Sequence, residues 1–253
     1  MSAITSTSNR AWVRIPKVTG NSKLRLFCFP YAGARSHVFR EWIGAFSNGI
    51  ETCLVLLPGE DFRENCVPSP EELVPMLVSG IRPHLDRPFA FFGHSMGAVI
   101  AFEVLRSLQR DSGMTAVHLF VSARVAPALT SFTTMLHNLP RAELIAQLKI
   151  LNGTPPEILE STEVLELLLP RLRADFQLNE TYSYCPGAPL LCPITAFGGA
   201  EDSHATAEEM LPWRNCTSAA FSFTLMPGDH FFLHTRQVEL LENISASLAT
   251  HLS

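Results

Sequence analysis

Basic residues are scarce in this 253-residue chain. Nineteen Lys and Arg stand against 24 Asp and Glu, a net charge of −5. Without a basic run there is no electrostatic footprint for nucleic acid and no patch for an anionic membrane surface. No apolar run approaches the length needed to cross a bilayer. Met1 to Arg10 is Ser/Thr-rich and polar, without the apolar core of a signal peptide. These absences lead us to expect a cytoplasmic protein. The six cysteines form no close CxxC pair and no metal-ligand spacing. Cys28 and Cys53 sit in strand-like runs, where a buried reduced thiol is expected. Internal repeats and low-complexity linkers are missing too. One domain spanning 1–253 is therefore expected, with 1–20 as a flexible N-terminal segment.

What remains is a 47% hydrophobic composition, enough for one sizeable core. Apolar runs alternate with longer helical stretches, which predicts an α/β fold with a mostly parallel sheet covered by helices. Strands are expected at Leu24 to Pro30, Thr52 to Leu57, Phe89 to Phe92, Val117 to Ser122, Pro193 to Phe197 and Phe221 to Leu225. Helices are expected at His37 to Phe46, from Ser69 onward, at Met96 to Arg110 and after His230. Ser69-Pro70-Glu71-Glu72 reads as a capping box with proline at the first helical position. Pro75 is expected to disturb that helix. From Ala128 to Tyr184 the alternation stops and only helical periodicity remains. We read 128–184 as a helical lid inserted over the C-terminal edge of the sheet.

Gly93-His94-Ser95-Met96-Gly97 matches G-x-S-x-G between an apolar strand and a helix, the setting of a nucleophile elbow. A serine hydroxyl needs a base to take its proton. In this fold the chain order is serine, acid, histidine. His230, in the loop after the last predicted strand, falls where the base should be. His234 lies one turn into the next helix and His204 comes early, on the surface. The acid should follow the penultimate strand, where Asp202 is the choice and its neighbour Glu201 stays open. Asp229 adjoins His230 and is badly placed to orient it. Asp175, in the helical block, reads as a solvated or capping carboxylate. Oxyanion donors are expected from the backbone N–H of Met96 and, in the loop after the first strand, of Ala32. Gly33 beside it permits the turn.

Beyond these local signals, the chain resembles the type II (editing) thioesterases of polyketide and nonribosomal peptide synthesis, within the α/β-hydrolase superfamily. The resemblance rests on Phe27 to Gly33, Phe39-Arg40-Glu41-Trp42, Leu57-Pro58-Gly59 and Phe91 to Gly97. It continues through Pro170 to Phe176, Glu180-Thr181-Tyr182, Gly198-Gly199 with Asp202, and His230 to Leu233. It implies a free-standing, monomeric serine hydrolase that removes acyl groups from the phosphopantetheine arm of acyl or peptidyl carrier proteins. By position it implies Ser95 as nucleophile, His230 as base and Asp202 as its orienter. No metal and no dissociable cofactor is expected. The chain departs from the family pattern at Glu60-Asp61, where arginine is usual and only Arg63 follows. Ala34 stands for a frequent glycine, and Asp229 for glycine before the histidine.

Three alternatives use the same frame: a small-molecule carboxylesterase, an acyltransferase in which an alcohol or amine replaces water, and a non-catalytic module that holds an acyl carrier. Preference for free oxygen esters marks the first. The identity of the acceptor marks the second, and absence of turnover the third. Leu144, Ile145, Leu148, Ile150, Leu165, Leu168, Leu169, Leu172 and Phe176 of the helical block are expected mostly to pack its core, with a minority lining an acyl channel.

Overall fold

The computed structural model describes residues 11–18, 20–46, 49–58, 68–129 and 134–252. Seven strands form one sheet: β1 Val13–Arg14, β2 Leu24–Phe29, β3 Ile50–Val55, β4 Phe89–His94, β5 His118–Ser122, β6 Ile194–Gly199 and β7 Phe221–Met226. Their order is β1-β3-β2-β4-β5-β6-β7, parallel throughout except for β1, which pairs antiparallel with β3. β1 lies within the segment read from the sequence as flexible. Its two residues pair with Val55 and Leu54, and Val13 is buried. A pair this short carries almost no periodicity, which is why the sequence did not announce it. Glu60, Asp61 and Arg63, where the chain departs from the family pattern, lie outside the described residues.

The helices are α1 Pro70–Ile81, α2 Met96–Ser112, α3 Arg141–Leu151, α4 Pro156–Glu160, α5 Thr162–Glu180, α6 Ala207–Met210, α7 Phe232–Thr235 and α8 Gln237–Leu248. Every residue of β2, β3, β4, β5 and β6 is buried, as parallel strands covered on both faces must be. Alternation of side chains then splits the core. Phe27 and Phe29 join Leu73 and Leu77 of α1 and Val104 and Leu108 of α2 on one face. Leu24, Leu26 and Cys28 join Leu240 and Ile244 of α8 with Phe39 and Trp42 on the other.

Local chemistry explains the boundaries. Ser69 and Glu72 form the reciprocal capping box, and α1 runs on past Pro75 to Ile81. Gly113, at φ 66°, ends α2 with its N–H on the Gln109 carbonyl. The expected helix over His37 to Phe46 is instead a 3-10 helix at Ser36–Trp42. It serves to bury Phe39 and Trp42 against Phe92, with ring centroids 5.9 and 4.7 Å away. Of the helical block, α3, α4 and α5 share a core of their own, built from Leu144, Leu148, Leu165, Leu169, Leu172 and Phe176. Ile150 does not join it and is 68% exposed.

The junction of β4 and α2 is the tightest point of the fold. A Cβ on Gly97 would lie 2.2 Å from the Phe29 carbonyl oxygen, and one on Gly93 would lie 2.3 Å from that of Gly97. These are backbone atoms that cannot step aside. We expect Gly97→Ala to lower unfolding free energy by about 2 kcal/mol or more, the scale of core overpacking. Gly20→Ala, in open space, should stay within about 0.5 kcal/mol. Urea midpoints of the two variants check this, and equal midpoints would contradict it.

Candidate active site

Ser95 sits between the end of β4 and the start of α2 with φ 52° and ψ −117°. A non-glycine residue holds such a backbone only where its surroundings over-determine it. Here the Ser95 N–H donates to the Ser122 carbonyl at 2.8 Å, and its own carbonyl accepts from Ala98 N–H at 3.0 Å. The turn leaves Ser95 half-buried, while Met96 is 1% exposed. Met96 is the first residue of α2, so its N–H belongs to the first helical turn, where amides have no partner inside the helix.

The loops after β6 and β7 come together by backbone contact. Ala200 N–H donates to the Met226 carbonyl at 2.8 Å and Glu201 N–H to that of Gly228 at 2.9 Å. A Cβ on Gly199 would strike the Asp229 and Gly228 carbonyl oxygens at 2.5 and 2.7 Å. That zipper brings His230 Nδ1 to 2.8 Å from Asp202 Oδ2. The other Asp202 oxygen accepts from the backbone N–H groups of His204 and Ala205 at 2.8 and 3.2 Å. Burial by itself would raise the Asp202 pKa. The bond and charge of His230 and the two amides outweigh it and hold the carboxyl below the usual carboxylate range. Glu201, left open by the sequence, is exposed. Asp229 caps Phe231 N–H instead, at 2.9 Å.

The His230 ring stands beside the elbow, its centroid 5.4 Å from that of His94, the residue before Ser95. His94 itself went unremarked in the sequence. It is fully buried and shares a hydrogen bond of 2.9 Å with Ser122 Oγ. Burial first, then the charges of His230 and His234, push its pKa well below the ordinary histidine value, so it stays neutral. His234 turns away from Ser95 onto the Tyr31 hydroxyl at 3.0 Å. Burial pushes that phenol up to about 12. The exposed His204 ring lies 5.8 Å from His230.

On the opposite side, the Tyr31 to Ala34 turn closes with Ala34 N–H on the Tyr31 carbonyl at 3.0 Å. Ala32 packs against the core of the helical block. Gly33, at φ 79°, donates its N–H to Asp175 Oδ2 at 2.8 Å. Asp175 is 2% exposed, so where the sequence suggested a solvated or capping carboxylate, the group is buried and bonds the backbone of this loop. Nothing in its local spacing signals that, because the partner is 142 residues away. The block also reaches the histidine loop: Asn152 Nδ2 donates to Asp229 Oδ2 at 3.2 Å. An apolar cleft beside Met96 is lined by Leu73, Val74, Val99, Ile100, Leu178 and Tyr182. A larger groove of about 450 Å³ between Arg82 and Arg110 is lined by Pro75, Val78 and Ser107, and touches neither Ser95 nor the loops that carry Asp202 and His230.

Comparison with known proteins shows the family. The family description "Thioesterase domain" matches residues 24–248. The linear gramicidin dehydrogenase LgrE of Brevibacillus parabrevis is 42% identical, across 98% of this chain and 96% of its own. The gramicidin S biosynthesis protein GrsT of Aneurinibacillus migulanus is 43% identical, across 91% of each. Among solved structures, the type II thioesterase BorB from the borrelidin biosynthetic cluster superposes with a TM-score of 0.86. It is 32% identical, across 98% of this chain and all of its own. The chain belongs to the thioesterase-domain family, on an α/β-hydrolase fold.

Proposed function

We propose that this protein is an editing thioesterase. It hydrolyses acyl groups from the phosphopantetheine arm of carrier proteins in nonribosomal peptide or polyketide synthesis. The observation that carries the reading is the pair of buried Asp202 with half-buried His230, standing beside the strained Ser95 turn. Kinship with GrsT, a gramicidin S biosynthesis protein, and with BorB, a type II thioesterase from the borrelidin biosynthetic cluster, supports the substrate class.

In the mechanism we propose, His230 takes the Ser95 proton as the hydroxyl oxygen attacks the thioester carbonyl. The amides of Met96 and Ala32 donate to the oxyanion. Gly33 N–H is already committed to Asp175, which leaves Ala32 as the donor of its loop. The carbon–sulfur bond breaks and pantetheine leaves as the thiol, taking the proton from His230 and restoring the neutral imidazole; with a thiol pKa of about 8.5 it is a fair leaving group. Water, deprotonated by His230, then attacks the acyl-Ser95 ester, and the acid departs as Ser95 regains its proton. Asp202, held ionised, keeps the imidazole oriented and stabilises its charged form. This scheme calls on no metal and no dissociable cofactor. The helical block over Ala32 and Asp229 serves as the lid.

No helix among the described residues is long and apolar enough to cross a membrane. We place the enzyme in the cytoplasm, as a monomer that meets its carriers free of membrane or nucleic acid. The dehydrogenase in the name of LgrE has no counterpart in these motifs. The Gly-rich fingerprint for a dinucleotide needs two glycines one residue apart, and no two glycines here have that spacing.

Following carrier mass over time tests the reading. Acyl-carrier should be converted to holo-carrier by the wild type and not by Ser95→Ala. Asp202→Asn should lose about 10⁴-fold in kcat, while Glu201→Gln stays close to wild type. Intact acyl-carrier alongside rapid cleavage of simple oxygen esters would contradict the proposal and favour an esterase.

The lowered Asp202 pKa makes a second, independent expectation. A carboxyl with a folded pKa below its unfolded value stabilises the fold above the unfolded pKa and loses that contribution as pH falls through the folded one. The urea-midpoint gap between wild type and Asp202→Asn should therefore hold from pH 7 to about 4.5 and close only below the ordinary carboxylate pKa of about 3.9. A gap already closed at pH 5 would contradict it.

A further inference from the structure

Asp175 is a nearly fully buried carboxylate outside the pair that serves His230. A buried charge costs free energy unless it is hydrogen-bonded and paired. Its Oδ2 accepts from Gly33 N–H at 2.8 Å and lies 3.6 Å from Arg171 Nε. Arg171 in turn donates through Nη2 to the Ala34 carbonyl at 3.2 Å. Between these two side chains, Leu172 presses on Gly33 so closely that a Cβ there would lie 2.3 Å from Leu172 Cδ2. Three side chains within one turn of α5 thus grip two consecutive residues of the loop after β2.

We infer that Asp175 is a positioning residue for the oxyanion hole, and that the hole is complete only while α5 is seated. The inference rests on the assignment of Ala32 N–H as an oxyanion donor. A hydrogen bond from Gly33 N–H fixes the plane of the Ala32–Gly33 peptide. The turn bond from Ala34 N–H to the Tyr31 carbonyl fixes the other end of the same loop. With both ends held, the rotations at Ala32 that would swing its own N–H away from the Ser95 side are blocked. Because α5 belongs to the helical block, any movement that lifts it withdraws the acceptor. Substrate can then enter an incomplete site, and turnover waits for α5 to return. Arg171, beside the carboxylate, offsets the negative charge that would otherwise oppose an oxyanion nearby.

The test uses Asp175→Ala, Asp175→Glu and Asp175→Asn in the full chain, each checked for folding by circular dichroism. Two readouts are needed: kcat and KM on acyl-carrier, and the Ki of an arylboronic acid, which forms a tetrahedral adduct on the serine. Asp175→Ala should lose about 10- to 100-fold in kcat, up to the cost of one oxyanion donor, with KM little changed. Its boronate Ki should rise by a comparable factor. Asp175→Asn should recover most of both, because its amide oxygen still accepts from Gly33 N–H. Asp175→Glu keeps the charge but moves the acceptor by one methylene, so it should remain impaired. If Asp175→Ala fails to fold, the contrast of Glu with Asn decides.

A folded Asp175→Ala, or Asp175→Glu where Ala does not fold, with wild-type kcat and boronate Ki overturns the inference. So does an Asp175→Asn as damaged as Asp175→Glu. Failure of the underlying reading looks different: the wild type itself would then bind no boronate, or Ser95→Ala would still turn over.

Discussion

A serine held at positive φ between a buried strand and a buried helix is the constraint from which the rest of this molecule follows. To make that turn, β4 must end and α2 must begin within one residue of Ser95, with glycine on either side where backbone passes at 2.2 to 2.3 Å from any added Cβ. The strain is tolerated because both ends are anchored. β4 is paired on both edges, to β2 and β5, and α2 is buried along most of its length. A strained backbone of this kind costs on the order of 1–3 kcal/mol, a cost the two anchors offset. In return Ser95 stands at the head of α2, whose first amide, that of Met96, has no partner within the helix.

Around that fixed point the site is assembled from three loops at the C-terminal ends of parallel strands. In the mechanism we propose, the loop after β2 supplies the second amide, and those after β6 and β7 supply the acid and the base. None of the three is free. The acid and histidine loops are zipped to each other by backbone hydrogen bonds, so Asp202 and His230 meet through main-chain geometry and not by side-chain search. The loop after β2 is held from above by α5. Asn152 joins the same helical block to the histidine loop. On the proposed reading, substrate access and the precision of the catalytic groups are thereby linked, since the helical block that serves as the lid also touches two of the three loops.

Much of this was legible in the sequence, for identifiable reasons. Five strands buried on both faces leave continuous apolar runs, and G-x-S-x-G between such a run and a helix has few other physical uses. Chain order then placed His230 and Asp202, and the structure brings those two side chains together. Four features escaped. β1 is too short to carry a period. The 3-10 helix at Ser36–Trp42 has the apolar spacing of an α-helix, and only its packing against Phe92 selects the tighter form. Asp175 and His94 act through partners distant in the chain or hidden beneath the elbow. Local spacing encodes a helix face or a turn, but not which loop that face will cover.

The central claim is that acyl groups pass through a covalent bond to Ser95. Rapid quenching of wild-type protein mixed with an acyl-phosphopantetheinyl carrier, followed by proteolysis and peptide mass mapping, tests it directly. The account predicts an acyl mass on the peptide that contains Ser95, appearing as holo-carrier is released and disappearing as free acid accumulates. Acyl mass on another residue, or free acid formed with no acyl-peptide at any time while Ser95→Ala remains active, would contradict it.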